Sequence, residues 1–308
     1  MPAVAVALAL LASLSWGTAD FIAGVQSRRS TAWTAALGGQ LVASLALIAL
    51  LLALSPARPS LSTLVPPLVG GAIGGFGVVL QYRALALTDM SVVSPIFAAA
   101  ALVPVLWGIT AGERPGMLQL LGIALTVAGI VVISRGRPEE VGATNTAHDV
   151  GIHTRPTPQV PGIQASEASR HAARTGILVA VGATVCFGIF LVCLDYGGAG
   201  DPYWTVVVTR TAALVTLGVA AGIARPAIRL TRGAVAPLLV VGLLIATANI
   251  TFTSATTFGY LSVVAVLGWL GPAITIMWAR AVLHERLRPQ QIGAAALVFA
   301  GVVGLTLG

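Results

Sequence analysis

Ten stretches of this chain run apolar for about twenty residues each, near 3–25, 31–54, 64–87, 91–111, 116–134, 175–197, 203–224, 234–258, 261–282 and 289–307. Twenty residues in helical rise match the roughly 30 Å hydrocarbon core of a bilayer. Inside that core each backbone N–H and C=O needs a partner in its own segment, so such a run folds as helix. Little chain is left for a water-facing surface: 9% of the 308 residues are charged, against about 25% in a soluble domain. The sequence therefore predicts an all-α polytopic membrane protein and excludes a soluble enzyme, a disordered chain and a disulfide scaffold. Cys186 and Cys193 share one helical run but stand about 10 Å apart, too far for a disulfide. The first run lacks a basic leader and a small-residue cleavage site, so it is expected to remain as a helix.

Residues 135–174 break the pattern. They hold Arg135, Arg137, Glu139, Glu140, Asp149, Arg155, Glu167, Arg170 and Arg174 among four prolines and three histidines. So polar a stretch cannot bury enough apolar surface to fold, and it reads as a disordered linker. His148, His153 and His171 have no ligand spacing and read as solvated. The linker separates five runs (1–134) from five (175–308), and the halves resemble each other. At an offset of 171, Gly17 meets Gly188, Trp33-Thr34 meets Trp204-Thr205, Ala84 meets Ala255, and Ser91-Val92-Val93 meets Ser262-Val263-Val264. One residue later in register, Glu113-Arg114 meets Glu285-Arg286 and Ala128-Gly129 meets Ala300-Gly301. An odd number of spans per half turns the second copy upside down. Two inverted five-helix repeats, ten transmembrane helices in all, are the architecture of a secondary transporter whose site lies between the repeats near the midplane.

All 17 basic residues are arginine, and the net charge is +7. They are spread over short loops with no aromatic-basic motif, which argues against a nucleic-acid partner. Their distribution is topological instead. Arg28, Arg29, Arg83, Arg225, Arg229, Arg232, Arg280, Arg286 and Arg288 fall on the linker's side, and only Arg58 and Arg114 on the other. The positive-inside rule places the linker in the cytoplasm and both termini outside the plasma membrane.

Ser15-Trp16-Gly17 with Ala19-Asp20-Phe21, the stretch Ser91 to Pro95, and Gly112-Glu113-Arg114-Pro115 resemble the EamA-type drug/metabolite transporters, actinobacterial members in particular. Leu261 to Leu267, Glu285-Arg286-Leu287 and Ala300-Gly301 repeat the resemblance in the second half. It implies ten helices in two inverted bundles and movement of small metabolites, often export. Family members are usually described with both termini cytoplasmic, so charge bias and resemblance point to opposite insertions.

Polar groups at membrane depth are then the candidates for a site. Arg210 lies within about 5 Å of the midplane by helical rise, where a guanidinium needs compensation. It reads either as a bidentate binder of a carboxylate or phosphate or as an ion pair with Asp195, about 8–9 Å away along the normal. Asp20, about 9 Å from the midplane on the linker side, reads as a proton-coupling carboxylate or as an interfacial side chain reaching water. Asn249, at the depth of Arg210, with Gln40, Trp16 and Trp269, could line a substrate cavity or serve packing alone. Gln40 stands beside Gly39, the counterpart of Arg210 at the 171 offset. Gly70, Gly71, Gly74, Gly75 and Gly77 make faces for close helix approach, Pro272 is placed to kink its helix, and Glu113 and Glu285 read as caps at helix junctions.

There is no nucleotide, metal or acyl-transfer motif, so neither an enzyme nor a cofactor is expected. The expected function is a secondary transporter, an exporter of small metabolites or amino-acid-like compounds, anionic or zwitterionic, working by alternating access. Alternatives are a flippase for lipid-linked sugars, marked by a lateral opening between helices, and a non-transporting scaffold or sensor, marked by a solid core.

Overall fold

The computed structural model describes residues 2–27, 30–87, 96–134, 163–283 and 289–307. Among them every long regular element is a helix. The first half carries α1 (Ala3–Ser27), α2 (Ala32–Leu54) and α3 (Leu61–Leu87), then α4 (Ile96–Thr110) and α5 (Met117–Ser134). The second carries α6 (Ile163–Gly198), α7 (Pro202–Ala224), α8 (Val235–Thr256), α9 (Leu261–Gly268), α10 (Gly271–Leu283) and α11 (Pro289–Leu307). Six helices are long and apolar enough to cross a membrane: α1, α2, α3, the Arg174–Gly198 part of α6, α7, and α8 with its leading turn. Four shorter apolar helices, Ile96–Thr110, Met117–Val132, Leu261–Thr275 and Ala296–Leu307, occupy the other expected runs. The run 261–282 divides at Trp269, which closes α9 with its N–H on the Ala265 carbonyl. Pro272 then falls in the first turn of α10, where a missing N–H costs nothing. Of the expected linker, 135–174, residues 135–162 lie outside the described residues, as do Arg28, Arg29, Ser91 to Pro95 and Glu285 to Arg288. Residues 163–174 are helical, the first turns of α6, and not a disordered linker.

Helix ends show the duplication in atomic detail. Thr31 caps α2 by accepting from Thr34 N at 3.2 Å, and Asp201 caps α7 by accepting from Trp204 N at 2.8 Å. At the far ends Ser55 (φ 45°) and Arg225 (φ 47°) both take the left-handed conformation and return their N–H to Leu51 and Ala221. A left-handed C-terminal residue satisfies carbonyls that the last turn would leave open. Both pairs of caps are 170 residues apart, so α2 and α7 superpose one residue out of the 171 register that Trp33-Thr34 and Trp204-Thr205 suggest.

The main helix contacts also come in exchanged pairs. α3 packs on α6 as α8 packs on α1, and α3 meets α7 as α8 meets α2. α1 meets α10 as α6 meets α4, whereas α2 with α7, α4 with α9 and α5 with α11 join equivalent helices across the two halves. Glycine makes the closest of these possible. A Cβ on Gly71 would collide with the Thr209 carbonyl of α7, and one on Gly75 would sit 2.8 Å from the Ala213 carbonyl. Gly70, Gly74 and Gly77 point the other way, against Cys193, Phe190 and Cys186 of α6. Thus α3 is wedged between α6 and α7 with no room for a side chain on either flank. At one end of the bundle the Thr31 hydroxyl donates to the Ala227 carbonyl at 2.8 Å, and Arg229 N donates to Thr34 at 3.0 Å. The α1–α2 and α7–α8 loops therefore share a face.

Candidate functional site

Arg210 projects from α7 and is 7% exposed. Its Nη1 donates to Gln40 Oε1 of α2 at 3.3 Å and its Nη2 to Asn249 Oδ1 of α8 at 2.6 Å. The Asn249 amide is itself fixed by donating to the Ile245 carbonyl at 2.6 Å. Phe190 of α6 lies beneath the guanidinium, 4.9 Å from Cζ to ring centroid, a cation–π distance. Arg210 Nε is buried without a hydrogen-bond partner. Among the described residues no carboxylate meets this cation. Asp195 faces the Thr256 hydroxyl instead. Two amide oxygens and a ring face supply dipoles but no counter-charge, and a guanidinium has five N–H groups to satisfy. The centre therefore has the donors and the unbalanced charge to accept an anionic group.

The cap register locates this centre. Counting from Thr31 and Asp201, Gln40 and Arg210 are the ninth residues of equivalent helices, and their hydrogen bond spans 170 positions. The bond thus joins equivalent positions of the two halves. This corrects the sequence register, in which Gly39 faces Arg210.

Trp16 and Trp269 also meet, with centroids 6.3 Å apart. Trp16 lies 5.5 Å from Phe252, and Trp269 lies 6.1 Å from Phe187, which is 6.3 Å from Phe97. The Trp269 indole donates to the Phe97 carbonyl at 3.1 Å. Phe190 and Phe252 belong to the same buried cluster, against which Trp16 and Trp269 pack. The aromatic chain and the Arg210 centre are therefore contiguous, built by α1, α4, α6, α8 and the α9–α10 break. Arg210, Asn249, Gln40, Trp16 and Trp269 are brought together. Asp20 stands apart, one turn beyond Trp16. The exposed apolar stripe of α1 runs through Val4, Leu11 and Leu14, and at 100° per residue Asp20 lies roughly 160–240° from it. Asp20 and Gly24 are nonetheless exposed. Tyr82 of α3 is within electrostatic range of Asp20, and its ring lies 5.9 Å from Trp33. Among the described residues Asp20 has no hydrogen-bond or ion-pair partner.

Glu113 acts as the cap its position suggests: its carboxylate accepts from Leu261 N at 2.6 Å and from Ser262 N at 3.0 Å, closing the start of α9 across the halves. Its counterpart Glu285 lies outside the described residues. The model of the EamA-like transporter family matches the chain twice, over residues 3–135 and 174–307. This chain belongs to the EamA-like transporter family. Both halves of this transporter carry the family's pattern, and the matches leave out the polar stretch between them. Among curated proteins none matches. A solved structure, titled only "Crystal structure of protein", is similar with a TM-score of 0.74 at 18% identity, covering 98% of this chain and 96% of that one. At that identity the likeness is one of fold, and it extends over nearly the whole of both chains. Phe187, Phe190 and Phe252 carry no sequence signal of a site. Only the three-residue spacing of Phe187 and Phe190 on α6 marks a shared face.

Proposed function

We propose that this EamA-like protein is a secondary transporter of the plasma membrane, exporting small anionic or zwitterionic metabolites by alternating access of two inverted five-helix halves. The observation that carries the reading is Arg210, a buried cation with neutral partners, an unpartnered Nε and a place at the junction of equivalent helices. Substrate supplies the missing negative charge, gripped by the guanidinium fork and flanked by Asn249 and Gln40. Trp16 and Trp269, with Phe252 and Phe187, form the apolar wall for the substrate body. The exchanged contact pattern supports rocking of one half against the other around this centre. Asp20, exposed and without a hydrogen-bond or ion-pair partner among the described residues, is the group that takes up and releases the coupling proton.

Purified protein in proteoliposomes, offered isotopically labelled organic anions, zwitterions and cations of matched size, tests the substrate class. Accumulation of compounds bearing a carboxylate or phosphate is expected, and accumulation of the cations alone would overturn the reading. Asp20→Asn is expected to transport down a concentration gradient at a near-normal rate while losing its response to an imposed pH gradient. An unchanged response would remove Asp20 from coupling.

A further inference from the structure

At the opposite end of the bundle from the Thr31–Ala227 contact, a cavity of about 590 Å³ opens between the halves. Its wall takes Pro2, Arg114 and Gln119 from the first half and Thr256, Phe258 and Tyr260 from the second. Volumes of this order hold small organic ligands. Arg114 is the one charged residue in the wall, and it is exposed, with no acid paired to it among the described residues. Gln119, in the first turn of α5, is 4% exposed. Its Oε1 accepts from Gly116 N at 3.0 Å, and its amide nitrogen has no partner among the described residues. Gln119 lines the cavity, so its amide and the Arg114 guanidinium offer it two donor groups.

The backbone sets this polarity. Gly112, at φ +103°, turns the chain after α4, a conformation that favours glycine. The Glu113 carboxylate folds back over Gly108 onto the start of α9, where two N–H groups and the helix dipole offset its charge. Arg114, the next residue, faces the cavity. Glu113 and Asp195 lie behind the wall, the latter against the Thr256 hydroxyl. Their repulsion disfavours a dianion more than a monoanion.

We propose that this cavity binds a small organic monocarboxylate, held by the Arg114 fork and the Gln119 amide, with its body against Phe258 and Tyr260. The site is separate from the Arg210 centre and does not rest on the transport reading. Full-length protein in nanodiscs, titrated with 4-fluorophenylacetate, 4-fluorophenyl phosphate and 4-fluorobenzylamine and followed by fluorine NMR, tests it with one ring and three charges. Saturable binding of the acetate is expected, with the phosphate at least about tenfold weaker and the amine weaker still. Arg114→Ala and Gln119→Met should each weaken acetate binding about tenfold, measured in the Arg210→Gln background so that the central site does not contribute. Either cavity variant suffices if the other does not fold. Equal binding of the amine, or wild-type binding in a folded cavity variant, would overturn the proposal. So would loss of binding in Arg210→Gln alone, which would place the probe at the central site.

Discussion

A guanidinium costs about 2.5–3.5 kcal/mol or more to hold at the centre of a membrane helix, and Arg210 is held there by neutral groups. The sequence made it legible because only Arg210 among the arginines falls near the middle of an apolar run. Asn249 was legible by depth. Gln40 was misread by one register, because the Trp-Thr pairs align at 171 whereas the helix caps that set the structural register align at 170. Phe190 was illegible: a phenylalanine in an apolar run gives no sign of lying beneath a cation. The corrected register yields a residue-scale prediction. Moving the charge across the junction, in Gln40→Arg combined with Arg210→Gln, should restore a measurable part of the transport that Arg210→Gln loses. The comparison is of initial uptake rates at equal folded protein. A folded double variant as inactive as the single one would show that the two positions are not interchangeable.

Among the elements, α3 shows how glycine sets geometry. Gly71 meets a backbone carbonyl, which cannot move aside as a side-chain tip can. Gly71→Leu should therefore destabilise the protein by about 3 kcal/mol or more, whereas Gly218→Ala, with nothing within 4 Å, should be neutral or stabilising by under about 1 kcal/mol. Thermal unfolding in detergent checks both, and equal losses would contradict the wedge. The Glu113 cap is a second element-scale device. Ser262 is fully buried beneath it, so a cysteine placed there should react slowly with a maleimide. Glu113→Ala should raise that rate at least about fivefold, because loss of a cap costs about 1 kcal/mol or more. An unchanged rate would mean that other contacts hold α9. Most helix ends were legible to within a few residues, from apolar run length and from caps such as Thr31 and Asp201, but α6 starts at Ile163, twelve residues before its apolar run, in a stretch read as linker. The break at Trp269 was not. Apolarity is continuous from 261 to 282, and only Pro272 signalled an interruption.

For the whole molecule, duplication was legible in scattered matches such as Glu113-Arg114 with Glu285-Arg286, and the exchanged helix contacts give those matches a spatial meaning. What sequence could not supply is which helices meet. α1 pairs with α8 and α3 with α6, far apart in the chain, because glycine and small side chains there permit close approach. This arrangement puts α2 and α7 together, and their ninth residues form the polar centre. The most direct measurement is uptake into proteoliposomes of a carboxylate-bearing compound carried by the wild type, compared with Arg210→Gln reconstituted at equal folded amount. Removing the charged partner of a buried ligand group costs about 2–5 kcal/mol, so uptake is expected to fall about 30-fold or more. Uptake within about twofold of the wild type would contradict Arg210 as the substrate anchor.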